Sequence, residues 1–240
     1  MIRKLTLALL LTFPTMSMAI DLEGYYITAK GGASKTFNTG MTSFNDKDGN
    51  LITFPNEDLG TGSAFGFSVG KYLTDSFRLE LEAIKRTGYE YDVNSLLFPA
   101  SANKAKIETH ALFVNGFYDF QSFSLKSTSI TPYLGGGVGI SRNKIGTIVE
   151  HENGPPNGIT TDGDTINQFA YKLSAGTLFS LTEQLSLDVN YQYVNLGAYK
   201  GSTEVYDEEE REVDEDYQRG TNGGDIKTQE LMVGLQYTFK

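Results

Sequence analysis

The sequence predicts an all-β fold: a closed, eight-stranded antiparallel transmembrane β-barrel with up-and-down topology. Three observations lead to this prediction. Apolar and polar residues alternate with a period of two in eight separate segments, as in strands with two different faces. The connectors between these segments are alternately short and long. No segment reaches the roughly eighteen consecutive apolar residues of a membrane-spanning helix.

The N-terminus has the features of an export signal. Arg3 and Lys4 form a short basic region, residues 5–13 are apolar, and Ser17 and Ala19 supply the small residues that a signal peptidase requires. The apolar run is too short to cross a bilayer core of about 30 Å as a helix. We therefore expect a signal peptide at 1–19 and one barrel domain at 20–240.

Composition narrows the class of protein. Without Arg3 and Lys4, 18 basic residues face 30 acidic ones, a net charge of −12, which disfavours binding to nucleic acid. The absence of cysteine excludes disulfides, thiol catalysis and a lipid attached to an N-terminal cysteine. The 14 Tyr, 15 Phe and 26 Gly suit a membrane barrel, in which only every second strand residue faces lipid.

The clearest of the eight strands is the third, where apolar and charged residues alternate without an error over 77–83. The fourth is ambiguous: if Leu112 faces outward, Asn115 faces inward, and Phe113 and Phe117 face inward with it. The predicted strands cover about 25–34, 63–73, 77–83, 106–120, 133–141, 169–179, 185–193 and 230–239.

The connectors divide into two classes. Bacterial barrels have short periplasmic turns and longer extracellular loops. With both termini in the periplasm, eight strands require three turns and four loops, and the sequence supplies that number. The short connectors are 74–76, 121–129 and 180–184, and the long, polar ones are 35–62, 88–105, 142–167 and 198–224.

Charged residues within the strands fall on the face opposite the apolar one. A charge facing the middle of a bilayer costs about 2–4 kcal/mol, so these residues face either bulk water or the lumen. The interior of an eight-stranded barrel is just wide enough for side chains to fill. We expect a paired polar network in the lumen rather than an open channel, formed by Lys30, Arg78, Glu80, Glu82, Arg86, Lys172, Asp188 and Glu230.

A soluble barrel with its apolar face inside is the alternative. It explains the alternation, but it does not explain an export signal, four long loops at one end and an aromatic C-terminal strand together.

Several segments resemble the eight-stranded outer-membrane barrels of the opacity-protein and OmpA-like superfamily. They are 70–72, 78–82, 114–120, 132–139, 181–188 and 191–193, and their order also resembles rickettsial surface antigens. The resemblance implies a bacterial outer membrane location with extracellular loops. It also implies contact with outer-membrane lipid and lipopolysaccharide, and with periplasmic chaperones and the barrel-assembly machinery.

The C-terminus resembles the signal that this machinery recognises. Gly234, Tyr237 and Phe239 match its spacing, whereas Met232 stands where a polar residue is usual and Lys240 follows the aromatic that normally ends the chain.

The sequence offers no catalytic, cofactor-binding or metal-binding set. The only histidines are His110 and His151, and barrel enzymes that deacylate lipid A use a His followed two residues later by Ser, which neither matches. Residues 46–57 resemble a calcium loop but have Leu51 where the sharp turn requires Gly. Gly135 to Gly137 lack the Lys-Ser/Thr of a phosphate loop, and we expect them to admit bulky neighbours.

The last long connector is strongly acidic. Its nine acids against three basic residues give −6, so it should be extended and solvated. We expect a non-enzymatic surface protein whose loops contact host or surface ligands, for example as an adhesin or antigen. A small porin with a narrow charged lumen is the alternative, and a lipid-modifying enzyme is less favoured. The acids are Glu204, Asp207, Glu208, Glu209, Glu210, Glu212, Asp214, Glu215 and Asp216.

Overall fold

In a computed structural model of the chain, a closed antiparallel sheet forms a barrel. The structure describes residues 22–37, 39–45, 51–54, 58–94, 101–126, 128–152, 156–201, 205–207 and 223–240. The predicted signal peptide lies outside them. Among the described residues, no helix has the length and apolar character needed to cross a membrane.

Regular structure in these ranges consists of strands alone. In chain order they are β1 (Tyr25–Thr36), β2 (Met41–Asn45), β3 (Leu51–Phe54), β4 (Thr61–Tyr72), β5 (Phe77–Asn94), β6 (Ser101–Asp119), β7 (Phe123–Leu125), β8 (Thr128–Ile145), β9 (Ile148–Glu152), β10 (Pro156–Thr161), β11 (Thr165–Ser180), β12 (Leu185–Lys200), β13 (Val205–Asp207) and β14 (Gly223–Thr238).

The barrel wall consists of β1, β4, β5, β6, β8, β11, β12 and β14, each antiparallel to both neighbours. The first and last strands close the sheet, with Tyr26 opposite Thr238 and Thr36 opposite Thr228. The predicted fold class is confirmed. We call the end with residues 73–76, 120–126 and 181–184 the turn end and the opposite end the loop end.

The two faces of the wall alternate as predicted. On β4, Phe65 and Phe67 are 60% and 51% exposed, whereas Ala64 and Ser68 are buried. Burying apolar area normally drives folding, so an exterior covered with exposed Phe, Leu, Val and Ile requires an apolar solvent around it.

The fourth predicted strand, whose inward face was ambiguous from the sequence, is β6, and it also has its apolar aliphatic residues outside. Leu112 and Val114 are exposed, and Phe113, Asn115 and Phe117 are buried in the lumen. The aromatic rings on this inward face fit because Gly139 and Gly135 lie opposite Phe113 and Phe117 on the neighbouring strand β8 and leave room for them.

Several strand boundaries differ from the prediction. The expected loop 88–105 is largely strand, because β5 continues to Asn94 and β6 begins at Ser101. Strand β8 begins at Thr128 rather than after Pro132. Proline is tolerated there because the hydrogen bond that it cannot donate would go to Phe120, which lies just past the end of β6.

The other long connectors also contain strands. Near the loop end, β6 exchanges its partner β8 for β9, which pairs with β10, which in turn pairs with β13. The hairpin β2–β3 adds to β14 at the same end. The barrel wall thus continues as a sheet beyond the band of exposed apolar side chains on its exterior, which we call the apolar belt.

Gly135 shows how the lumen accommodates aromatic rings. A Cβ there would overlap the ring of Phe117 and the carbonyl of Gly116, which confirms the expectation for this glycine. We expect Gly135→Ala to lower the free energy of unfolding by about 1–3 kcal/mol through overpacking. Gly116→Ala is the matched control, since its Cβ would meet only Leu79 Cδ2 at 3.8 Å. Urea unfolding in detergent micelles measures both, and equal losses would contradict the prediction.

Candidate functional site

Strand β5 sets the order of the side chains that fill the lumen. From the turn end to the loop end, its inward residues are Arg78, Glu80, Glu82, Ile84 and Arg86, all buried. Because successive side chains point to opposite faces, the strict alternation of charged and apolar residues over 77–83 places Arg78, Glu80 and Glu82 inside. The other barrel strands supply the partners, so the charged part of the lumen forms three layers.

The middle layer is centred on the fully buried Glu82. The ammonium group of Lys30 lies 2.8 Å from one carboxylate oxygen of Glu82 and 3.7 Å from Glu80. Lys172 pairs with the other oxygen. The amide of Asn115 donates to Glu80 at 3.1 Å and to Glu82 at 2.8 Å. Two cations thus balance two anions, the arrangement that makes buried charges tolerable.

The layer nearest the loop end is a two-pronged ion pair. Arg86 donates from Nε and Nη2 to the two oxygens of Glu230, at 2.5 and 3.1 Å. Glu230 also accepts from Ser34 at 2.7 Å, from Thr228 at 2.8 Å and from Gln192. Paired guanidinium and carboxylate forks of this kind are geometrically specific, so the layer fixes β1, β5, β12 and β14 relative to one another.

The layer nearest the turn end contains residues that the sequence pattern did not single out. Arg78 donates to Asp119 at 3.0 Å and lies over the rings of Phe117 and Tyr133, 4.4 and 4.5 Å from their centroids. The hydroxyl of Tyr133 donates to Asp188 at 2.7 Å. The sequence could have identified Asp119, because it lies two residues beyond Phe117 on the same strand and therefore on the same inward face as Asn115 and Phe117.

All eight residues predicted for the lumen network are buried inside the barrel. They do not form one cluster. Lys30, Glu80, Glu82 and Lys172 are joined directly, whereas Arg86 pairs with Glu230 in the next layer. The remaining two, Arg78 and Asp188, lie nearer the turn end with Asp119 and Tyr133.

Above Arg86 the lumen becomes apolar. Two bulges produce this change: a register shift at Gly88 on β5 and another at Gly197 on β12, both glycines with positive φ. Each shift resets the alternation, which places Tyr89 and Tyr199 inside. We call the resulting cluster the apolar cap, and its members include Leu59, Tyr89, Tyr91, Ile107, Ile145, Leu196, Tyr199 and Ile226.

The predicted assembly residues lie on β14 and just after it. Gly234 faces inward against Lys30, and Tyr237 stacks edge-on with Phe239 at 5.1 Å. Met232, which departs from the usual pattern, is fully buried among the apolar side chains near the cap. Lys240 donates to Glu183 in the turn between β11 and β12, and this hydrogen bond lowers the pKa of Glu183.

The remaining candidates are scattered. His110 is exposed on the outer surface of β6, and His151 lies in β9 with its Nδ1 3.2 Å from the carbonyl of Val149. No cluster within the described ranges could hold a metal ion, and the calcium-like segment lies largely outside those ranges. Of the acidic loop, only Asp207 is described with its pairing, in β13 against β10.

An apolar exterior around a filled, charged interior defines a membrane-spanning β-barrel, because a sheet satisfies every backbone group in lipid only when it is closed. The family model for the outer membrane protein beta-barrel domain matches residues 5–239. The chain belongs to this family, and its location is the bacterial outer membrane.

Two relatives and one solved structure illustrate the similarity. Outer membrane protein PagN of Salmonella typhimurium is 28% identical over 90% of each chain. A candidate adhesin of Rickettsia conorii is 25% identical over 94% of this chain and 86% of its own. OprG from Pseudomonas aeruginosa, an outer membrane protein, has the same fold, with a TM-score of 0.58 at 16% identity over 90% of this chain and 96% of its own.

Proposed function

We propose that this protein is a non-enzymatic surface protein: the barrel anchors it, and the strands and loops beyond the membrane bind partners as an adhesin does. The observation that carries the proposal is the filled lumen. Three charged layers and the apolar cap occupy the interior of the barrel. The surface at the loop end is then the part of the molecule available to an external partner.

The length of the strands supports this proposal. A membrane-spanning strand needs about 9–11 residues, whereas β5, β6 and β8 contain 18, 19 and 18. The surplus carries the β6–β9–β10–β13 sheet beyond the apolar belt. A rigid base of this kind presents loops at a fixed distance from the membrane, which suits a binding role.

The relatives support the adhesive role as well. One of them is described as a candidate adhesin, and it covers nearly all of this chain. An enzymatic role finds less support. A histidine that acts as a general base must lie within hydrogen-bond reach of the group that it activates, such as a hydroxyl. His110 instead has Lys85 and Arg142 as its cross-strand neighbours.

Adherence of cells that display the protein tests the proposal. In a non-adherent bacterial host, we expect expression to increase attachment to cultured host cells. Changing the nine loop acids to their amides should reduce this gain. The matched control is Asp75→Asn with Glu183→Gln, which removes acids at the turn end. No gain in attachment, or equal loss in the control, would contradict the proposed function.

Protease digestion of intact cells establishes which end is outside. We expect cuts within 35–62, 142–167 and 198–224, and none within 121–129. Cleavage within 121–129 would reverse the orientation and overturn the proposal.

A further inference from the structure

The buried charges of the lumen do not balance. Among the described residues, four basic and five acidic side chains are buried. They are Lys30, Arg78, Glu80, Glu82, Arg86, Asp119, Lys172, Asp188 and Glu230. A buried ion without a partner is costly, because the interior does not replace the hydration that the ion loses. One negative charge therefore has no counter-charge within this part of the chain.

The unbalanced charge belongs to Asp188. The middle layer holds two cations and two anions, and the layer nearest the loop end holds one of each. In the layer nearest the turn end, Arg78 forms its ion pair with Asp119 at 3.0 Å. Asp188 accepts hydrogen bonds only from neutral groups among the described residues, the hydroxyl of Tyr133 at 2.7 Å and the amide of Asn190 at 3.3 Å. The basic groups that attract it from further away are paired with other carboxylates.

Two oxygen atoms without hydrogen-bond partners in the described part of the chain lie near this carboxylate. One is Oδ1 of Asn190, which belongs to the amide that already contacts Asp188. The other is Oγ of Ser174 on β11. Asn190 and Ser174 are only 4% and 7% exposed, so bulk water does not satisfy them.

The sheet register brings these two oxygens to the same part of the lumen. Gly176 of β11 lies opposite Asn190, so Ser174, two residues away on the same inward face, is the diagonal neighbour of Asn190. Diagonal neighbours across a sheet are about 7–8 Å apart, a gap that a cation between their side-chain oxygens can bridge. A carboxylate and two neutral oxygens therefore converge on one position.

The vestibule at the turn end gives access to this position. It has a volume of about 530 Å³, and Leu178 and Ser186 contribute to its lining. Leu178 lies opposite Asp188, and Ser186 is one inward position nearer the turn end on β12. The vestibule therefore reaches the layer directly below the Asp188 carboxylate. Asp75 and Asp119 also line it, and carboxylates in a cleft raise the local concentration of cations.

We propose that Asp188, Asn190 and Ser174 bind one monovalent metal cation of the sodium and potassium class, which enters from the turn end. Charge selects this class, because one positive charge restores neutrality and a divalent ion would leave an excess. The ligands agree, since hard cations prefer oxygen. The described residues contain no group of three or more His, Cys, Asp or Glu side chains that could hold a metal ion, so this site is much poorer in charge than a divalent site.

The site is a dead end rather than part of a channel. The paired layer of Arg86 and Glu230, with 0% side-chain exposure, closes the lumen on the side of the loop end. The cation therefore leaves by the route through which it entered. The site is also separate from the loops that the proposed function uses, so either proposal can fail without the other.

Urea unfolding of the folded full-length protein in uncharged detergent micelles tests this site. The measurement is made at about pH 8, where an aspartate in water is fully ionised. Sodium or potassium chloride replaces the chloride of N-methylglucamine, a bulky organic cation, at constant ionic strength. Above the dissociation constant, each tenfold increase in metal concentration should raise the folding equilibrium constant about tenfold. Equal stability in all three salts would indicate that a proton balances Asp188 instead and would overturn the site.

Two variants locate the effect. Asp188→Asn removes the charge at nearly constant side-chain size, so its stability should not depend on which of the three salts is present. A dependence that persists in this variant would overturn the site. Ser174→Ala removes one neutral ligand and leaves every charge in place, so it should bind the metal several-fold more weakly even if Asp188→Asn does not fold. Wild-type metal dependence in Ser174→Ala would contradict the proposed ligand set.

Asp75→Asn is the matched control, since Asp75 is an exposed acid that lines the same vestibule. It should respond to sodium and potassium as the wild type does, because it is not among the proposed ligands. Equal loss of the response in Asp75→Asn would indicate general attraction of cations to the vestibule and would overturn the site. A heat-induced shift in electrophoretic mobility verifies that each variant is folded.

Discussion

Replacing Glu82 by leucine is expected to lower the free energy of unfolding by about 3–5 kcal/mol, because it leaves buried cations without their partner. Lys30 and Lys172 both pair with Glu82, and their side chains are only 4% and 1% exposed. After the change, Glu80 would be the remaining anion of the middle layer. Urea unfolding of the protein in lipid vesicles, followed by the mobility shift between folded and unfolded forms, measures the loss.

A second substitution separates charge imbalance from lost packing. Adding Lys172→Met to Glu82→Leu leaves Lys30 with Glu80, a balanced pair, so most of the lost stability should return. Asp92→Asn is the surface control: its ion pair with Lys104 is about half exposed and should contribute less than about 1 kcal/mol. If the double variant were no more stable than Glu82→Leu alone, charge pairing would not be the cause.

The alternation of residues predicted the architecture of the wall because it is a local property of each strand. In 77–83 it assigned Arg78, Glu80 and Glu82 to the lumen without knowledge of their partners. The ambiguity of β6 could also be reduced from sequence, since Asn115 is more costly in lipid than Phe113 and Phe117 are in a lumen.

The pairing inside the lumen could not be predicted in the same way. Arg86 and Glu230 are 144 residues apart, and they meet only because β1, β5, β12 and β14 bring their inward faces together across the barrel. Such contacts depend on the closure and register of the whole sheet. Alternation assigns a residue to a face but does not give its height relative to residues on distant strands.

The apolar cap was missed for a different reason. The predicted strands ended at 83 and 193, where alternation failed, although the chain continues as strand and the alternation is shifted by one residue at Gly88 and at Gly197. Both glycines have positive φ, 89° and 71°, a conformation that other residues rarely adopt. A glycine followed by a shifted alternation is the signal that would have predicted the bulges and the inward Tyr89 and Tyr199.

The apolar cap bears directly on ion conduction. A conducting pore needs a continuous polar path through the lumen, and two layers of packed side chains interrupt that path. Arg86 and Glu230 form a paired layer with 0% side-chain exposure, and above it Tyr89, Tyr91 and Tyr199 are at most 1% exposed. At the turn end, a vestibule of about 530 Å³ lined by residues such as Tyr72 and Asp119 opens outward. We therefore expect no stable single-channel steps from the wild-type protein in planar bilayers.

The same reasoning predicts the behaviour of a charge variant. Glu82→Leu with Lys172→Met alters the middle layer but leaves the apolar cap intact, so this variant should not conduct either. Protease digestion of vesicles prepared from the same lipids verifies that each protein has inserted. Stable wild-type steps that are abolished by changing Arg78, Glu80 or Glu82 would instead establish the narrow charged channel. The filled lumen would then be a gate that opens, and the proposal that the protein acts only through its surface would be wrong.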